Sequence, residues 1–142
     1  MNLLSVFTYN GRTSIYLSLL KRKKFLKLAC SRLKKRGIFI SNPHNIGDNF
    51  TIGHPLSIVI GENVKIGNNV KIYHCVTIGQ KNNKYPTIGD NVVIFPHSII
   101  VGDIVIGNNC VIGAGSVVVA DIPDNCVAAG NPAKIIKRIK EE

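Results

Sequence analysis

Aliphatic residues recur every six positions through most of the chain, and small or polar residues fill the intervals. The hexads start at Ile40, Ile46, Ile52, Ile60, Ile66, Ile72, Ile78, Ile88, Ile94, Ile100, Ile106, Ile112 and Val118. Gly, Asn and Asp are frequent at positions two to four, and these residues tolerate the positive φ of a tight turn. A period of six does not match the 3.6-residue repeat of an amphipathic helix. The pattern therefore predicts a β-solenoid with a corner every six residues and three sides to each coil.

The repeat is interrupted twice, and each interruption predicts a surface loop. Two extra residues fall between Ile52 and Ile60, and four fall between Ile78 and Ile88. Loops inserted into solenoids often carry function. Counting sides through both interruptions places four residues on one edge of the solenoid, one per coil: His54, His74, Pro96 and Ala114. His97 follows this edge by one residue.

Charge divides the chain into three predicted parts. Residues 1–36 hold ten of the eighteen Lys and Arg residues and no acidic residue, whereas the remainder is balanced. We therefore predict a basic, short α-helical segment over residues 1–37, a β-helix over 38–122 and a C-terminal tail over 123–142. The basic segment has two open interpretations, a helix that packs on an oligomer or one that contacts anionic lipid. Because the net positive charge comes from this segment and the rest of the chain is balanced, we expect no nucleic-acid partner.

The cysteines indicate a reducing compartment. Cys30, Cys75, Cys110 and Cys126 form no CxxC motif and have no zinc-ligand spacing with histidine. The start of the chain has neither a basic n-region nor a small-residue cleavage site, so it does not read as a secretory signal. We expect reduced thiols, no metal and a cytoplasmic protein, with peripheral contact at the inner face of the membrane left open.

Four segments resemble one family of enzymes. They are 54–62 (HPLSIVIGE), 76–79 (VTIG), 112–118 (IGAGSVV) and 128–134 (AAGNPAK). With the repeat, they make residues 38–138 similar to the hexapeptide acyltransferases, and within them to the serine acetyltransferase branch. The resemblance implies an all-β, left-handed β-helix that assembles as a homotrimer with active sites between subunits. It also implies acetyl-CoA as the co-substrate and direct transfer of its acetyl group to a hydroxyl.

The same resemblance assigns candidate site residues. His54 matches the catalytic position of the branch, and an imidazole suits a general base near neutral pH. His74 is the second catalytic candidate, which would bind the acceptor or orient His54. The cofactor-binding candidates are Gly79, Pro96, Ala114, Gly115 and Lys134. The substrate-binding candidates are Lys84, Tyr85 and His97.

Departures from the branch bear on the acceptor. Phe39 and Gly53 stand where the serine enzymes carry aspartates, and Tyr85 and Lys84 stand where they carry a histidine and an arginine. Because these groups would hold the serine ammonium and carboxylate, we expect a sugar hydroxyl of a surface polysaccharide or its precursor as the acceptor. The alternatives are a serine O-acetyltransferase of cysteine biosynthesis and a non-catalytic β-helix scaffold.

Overall fold

The chain folds into a left-handed β-helix of about five coils, as the repeat and the family resemblance predict. The computed structural model describes residue 31 and residues 33–139. Its strands are β1 (Ile38–Ile40), β2 (Thr51–Ile52), β3 (Ile58–Ile60), β4 (Lys65–Ile66), β5 (Lys71–Ile72), β6 (Thr77–Gly79), β7 (Thr87–Ile88), β8 (Val93–Ile94), β9 (Ile99–Val101), β10 (Val105–Ile106), β11 (Val111–Ile112), β12 (Val117–Val118), β13 (Cys126–Gly130) and β14 (Ala133–Arg138). A 3-10 helix spans Pro43–Asn45.

Three parallel sheets form the sides of the prism. Face A contains β4, β7 and β10; face B contains β2, β5, β8, β11 and β13; and face C contains β1, β3, β6, β9 and β12. On face B the hexad starts pair in the order Ile52, Ile72, Ile94 and Ile112, followed by Ala128. This pairing confirms the count of sides through both interruptions.

The core is a stack of β-branched side chains along the prism axis. Ile52, Ile72, Ile94 and Ile112 have no exposed surface, and the equivalent isoleucines of the other faces are buried with them. Each side chain packs on its counterpart one coil above and below, about 4.8 Å away. Aliphatic residues that are stiff at χ1 suit this stacking, which explains why the core is built without large aromatic clusters.

The corner between faces A and B, here called the Asn corner, comprises residues 47–49, 67–69, 89–91 and 107–109. Side-chain amides in its fourth hexad position form a continuous hydrogen-bonded ladder: Asn49 to Asn69 at 2.9 Å, Asn69 to Asn91 at 3.0 Å, Asn91 to Asn109 at 3.0 Å and Asn109 to Asn125 at 2.8 Å. These residues have φ near +56°, which asparagine tolerates better than most residues. The ladder therefore gives the amide side chains of this corner a hydrogen-bond partner in the next coil.

The ends of the chain bear on the predicted division into three parts. The predicted N-terminal helix falls almost wholly outside the described residues. Within residues 31 and 33–139, no helix is long and apolar enough to span a membrane. In the predicted C-terminal tail, β13 pairs in parallel with β11 and so extends face B. The chain then reverses, and β14 pairs antiparallel with β13 at the edge of the sheet.

Candidate active site

Three histidine rings line the corner between faces B and C, here called the His corner (residues 53–57, 73–75, 95–97 and 113–115). The ring centroids of His54 and His74 are 5.8 Å apart, and those of His74 and His97 are 5.3 Å apart. Both pairs are edge to face. His54 and His97 are exposed, whereas His74 is half-buried between them. The structure thus brings three of the predicted site residues into contact in successive coils.

Backbone hydrogen bonds hold these turns in register. The His97 N–H donates to the His74 carbonyl at 3.1 Å, and the Gly115 N–H donates to the Pro96 carbonyl at 2.9 Å. Two buried serines brace the upper turns: Ser98 Oγ donates to the carbonyls of Phe95 and Gly113, and Ser116 Oγ donates to the Gly113 carbonyl at 2.6 Å. Hydrogen bonds between coils therefore hold the backbone that carries the three histidines. The two buried serines support this backbone, and the sequence analysis did not predict their role.

His74 carries an unpaired buried nitrogen. Its Nδ1 is inaccessible to solvent and has no hydrogen-bond partner among the described residues. An unpaired buried nitrogen is unfavourable, so such a group in a native fold calls for a functional explanation. The three histidines do not constitute a metal site by arrangement: no group of three His, Cys, Asp or Glu side chains in residues 31 and 33–139 could hold an ion.

Two aromatic rings beside the histidines were not predicted from the sequence. Tyr73 and Phe95 stack with centroids 5.3 Å apart and planes 9° apart, and Tyr73 lies 6.1 Å from His54. They occupy the second position of their hexads, where most hexads have glycine. A Cβ on Gly53 would lie 2.7 Å from the Tyr73 ring, so the ring fills the space that an aspartate side chain would need. The signal available in the sequence was the replacement of the repeat's glycine by an aromatic residue in two successive coils.

The remaining predicted residues lie at two different corners of the prism. Lys134 in β14 pairs with Ala129, whose Cβ lies 2.8 Å from where a Cβ on Gly113 would be, so Lys134 lies above the His corner. Gly79, the last residue of β6, lies instead at the corner between faces C and A, and Lys84 and Tyr85 follow it there. Within one chain, the structure does not bring these three residues to His54.

The loop at residues 79–87 forms a small hairpin at this far corner. Lys81 and Lys84 exchange backbone hydrogen bonds of 3.0 and 3.1 Å across Asn82 and Asn83, both of which have positive φ. Lys84 Nζ donates to Asp103 at 2.6 Å, and this hydrogen bond and charge raise the pKa of Lys84. A cavity of about 390 Å³ lies beneath the hairpin. The Lys84 ammonium is therefore already engaged within the chain.

Acidic side chains are absent from the His corner. The described acidic residues lie on the other two corners: Asp48, Asp90 and Asp124 near the Asn ladder, and Glu62, Asp103 and Asp121 near the hairpin. Phe39 lies on face C, 48% exposed, and pairs with Val59. Glu62 follows β3 at its far end, so it does not replace the missing aspartates beside His54.

Residues 57–82 and 85–120 match the family described as bacterial transferase hexapeptide (six repeats). A serine acetyltransferase of Helicobacter pylori is 37% identical over 83% of this chain and 72% of its own length. The chain belongs to the hexapeptide-repeat transferase family, in its serine acetyltransferase-like branch. Membership agrees with the β-helical fold described above.

Solved structures of this family extend the comparison. Serine acetyltransferase of Neisseria gonorrhoeae superposes with a TM-score of 0.74 at 36% identity, over 89% of this chain and 51% of that one. Serine acetyltransferase of Brucella abortus in complex with coenzyme A superposes with a TM-score of 0.69 at 30% identity, over 87% of this chain and 52% of that one. The chain thus spans about half the length of the solved hexapeptide-repeat enzymes that it matches.

Proposed function

We propose that the chain is an acetyl-CoA-dependent O-acetyltransferase in which His54 is the general base. The observation that supports this most strongly is the exposed His54 ring on a corner otherwise packed in register, at the family's catalytic position. His54 takes the proton of the acceptor hydroxyl as its oxygen attacks the thioester carbon. The carbon–sulfur bond then breaks, and the proton passes from His54 to the departing CoA thiolate. No covalent enzyme intermediate is needed.

Thiol chemistry by the chain itself is not part of the proposal. Cys75, Cys110 and Cys126 are free, and burial raises the pKa of Cys110. A raised pKa keeps a thiol protonated and poorly nucleophilic. Cys75 lies next to His74 in the chain, but its turn with positive φ is a structural position of the repeat, equivalent to Asn69 and Gly115.

The upper His corner suits the pantetheine arm of acetyl-CoA. The Pro96 carbonyl accepts from Gly115 but retains a second lone pair, and the Ala114 N–H makes no hydrogen bond within the described residues. These two groups lie at the His corner in successive coils, one an acceptor and the other a donor for the amides of pantetheine. Lys134, above them, would meet the phosphates.

His74 is proposed as the residue that positions His54. In this chain the aspartates of the branch are replaced, and His74 presents an edge to the His54 ring at a centroid distance of 5.8 Å. A neutral imidazole has one donor and one acceptor nitrogen, so it can fix the tautomer of a neighbour as a carboxylate does. Its buried Nδ1 has no other partner among the described residues, so this nitrogen is the group available for the interaction with His54.

Face C supports assembly into a homotrimer. Its outward-facing central positions are uncharged: Phe39, Val59, Thr77, Ile99 and Val117. Exposed apolar strips of this kind mark interfaces. Three prisms that turn face C toward one axis would place the His corner of each copy beside the 79–87 hairpin of the next. The predicted roles of Gly79, Lys84 and Tyr85 then depend on the neighbouring copy.

Charge on face C is expected to prevent trimer formation. The Ile99→Lys variant buries an ammonium at the interface, which is strongly unfavourable without a partner. The matched control is Val105→Lys, because Val105 is 52% exposed on face A, compared with 40% for Ile99. Sedimentation should report a monomer for Ile99→Lys and a trimer for Val105→Lys. If Ile99→Lys and Val105→Lys both sedimented with the mass of the parent assembly, the proposed interface would be wrong.

The acceptor has two candidates. The relatives are named serine acetyltransferases, and this supports L-serine over the sugar acceptor predicted from the sequence. A sugar hydroxyl remains the second candidate, because the His corner lacks acidic side chains among the described residues and the Tyr73 ring fills the space beside Gly53. An ammonium group in that corner would find no carboxylate among the described residues of the same chain.

Thiol release from acetyl-CoA with L-serine and with a panel of UDP-sugars and oligosaccharides tests the proposal. Saturable release that depends on a hydroxyl acceptor would support O-acetyl transfer, and the acceptor that saturates identifies the candidate. If CoA fails to bind and no acceptor is turned over, the chain is a scaffold instead. A cytoplasmic location belongs to the same proposal, since acetyl-CoA is its co-substrate. Membrane contact through residues 1–37 has no supporting observation.

A further inference from the structure

The half-buried Tyr73 ring and the exposed Phe95 ring form an aromatic pair at the edge of the proposed active site, and nothing in the repeat requires it. Other corners carry glycine at the same hexad position, as Gly67 and Gly89 show. The exposed fraction of Phe95 is 38%, although its side chain is fully apolar. Large apolar side chains that stay exposed beside a site are a common mark of ligand binding.

The rings are held firmly. Tyr73 rests on the Gly53 backbone, where a Cβ would come within 2.7 Å of the ring. Phe95 stacks on Tyr73 with planes 9° apart, and Ser98 Oγ fixes the Phe95 carbonyl at 2.8 Å. Lys71 Nζ lies 5.1 Å from the Tyr73 centroid, on the face B side. The result is a preorganised platform flanked by His54 on one side and a cation on the other.

This platform has a definite chemical preference. The C–H face of a pyranose ring can pack against the exposed apolar surface of Phe95 and the edge of Tyr73, whereas L-serine offers no apolar ring to cover them. The His corner has no acidic side chain among the described residues, and Lys71 adds a positive charge. A neutral or anionic sugar therefore suits the electrostatics, whereas the ammonium of the L-serine zwitterion would find no carboxylate among the described residues of this corner.

We propose that Tyr73 and Phe95 bind the pyranose ring of a sugar acceptor and present its hydroxyl to His54. The proposal rests on the O-acetyl transfer proposed above, and it selects the second acceptor candidate. The platform determines acceptor specificity and plays no part in acetyl-CoA binding. Lys71 would contact an anionic substituent, such as the diphosphate of an activated sugar.

The test measures steady-state kinetics of the full chain with UDP-N-acetylglucosamine, UDP-galactose and maltotriose, and with L-serine. Tyr73→Leu and Phe95→Leu are each expected to raise KM for the sugar about 5- to 50-fold, with KM for acetyl-CoA unchanged. Tyr73→Phe and Phe95→Tyr keep the rings, so each should restore most of the sugar affinity that the corresponding leucine variant loses. The proposal would be overturned if the chain turned over L-serine but none of the sugars, and if neither leucine variant changed KM for L-serine.

A binding readout separates this proposal from that of His54. Saturation-transfer NMR should detect contact between sugar ring protons and the chain in the His54→Asn variant, and lose it in Tyr73→Leu. Retained sugar contact in His54→Asn would support the platform whether or not His54 is the base. A higher KM for acetyl-CoA in the leucine variants would show that the rings hold the cofactor. If either leucine variant lost the oligomeric mass of the parent, the rings would be covered by a neighbouring copy of the chain. Either result refutes the assignment.

Discussion

The His54→Asn variant is expected to lose about 10²- to 10⁴-fold in kcat, because asparagine cannot accept the hydroxyl proton. Asparagine is small and polar, and the His54 side chain is exposed, so the fold should be undisturbed. The affinity for acetyl-CoA should be unchanged, since the proposed cofactor contacts lie in the coils above. Initial rates of thiol release, together with calorimetric titration of CoA, would measure both quantities.

The matched control is His44→Asn. His44 is also exposed, but it lies in the 3-10 helix Pro43–Asn45 of the first coil, away from the His corner. This variant should retain the rate of the parent. Full activity in His54→Asn would remove the proposed base. A parallel loss of rate and CoA affinity would point instead to a disturbed corner.

The Gly89→Ala variant is expected to lower the free energy of unfolding by about 1–3 kcal/mol, as overpacking of a rigid site does. An added Cβ would lie 2.6 Å from Asn108 Oδ1, 2.9 Å from the Gly107 carbonyl carbon and 3.0 Å from the Asn108 nitrogen. Two of these atoms are backbone atoms of the next coil, so relief requires the coils to separate. The Asp90 N–H bond to Asn108 Oδ1, 2.8 Å long, would be disturbed as well.

Gly79→Ala provides the comparison for stability. A Cβ on Gly79 would meet no atom within 4 Å, and its φ lies outside the left-handed region. Urea denaturation at one protein concentration should therefore place Gly79→Ala beside the parent and Gly89→Ala well below it. Equal urea midpoints for the two variants would contradict the close packing of the Asn corner around Gly89.

Much of the fold followed from the sequence because the repeat is strict. The hexad starts alone determined which residues pair, and the register of Ile52, Ile72 and Ile94 on face B confirms that count. The count also predicted that His54 and His74 share an edge. The left hand did not follow from periodicity, since both hands repeat every six residues, and it came only from the family resemblance.

The finer chemistry of the site could not be read from spacing. Periodicity places Tyr73 and Phe95 on the outside of a corner but does not give the direction of their rings, which depends on the empty space over Gly53. It likewise gives no information about the Lys84–Asp103 pair, because that contact depends on how the 79–87 insertion folds. Nor does it bring Tyr85 to His54, since residues at opposite ends of one face meet only through another copy.

The antiparallel hairpin of β13 and β14 has a consequence for solubility. A parallel stack of coils ends in unpaired backbone groups that could template a further chain and grow into a fibre. On face B the outermost strand is β14, which runs against the stack and carries Lys134, Lys137 and Arg138. A strand of reversed direction and high charge is a poor template for another parallel coil. The hairpin therefore caps face B against the addition of a further parallel coil.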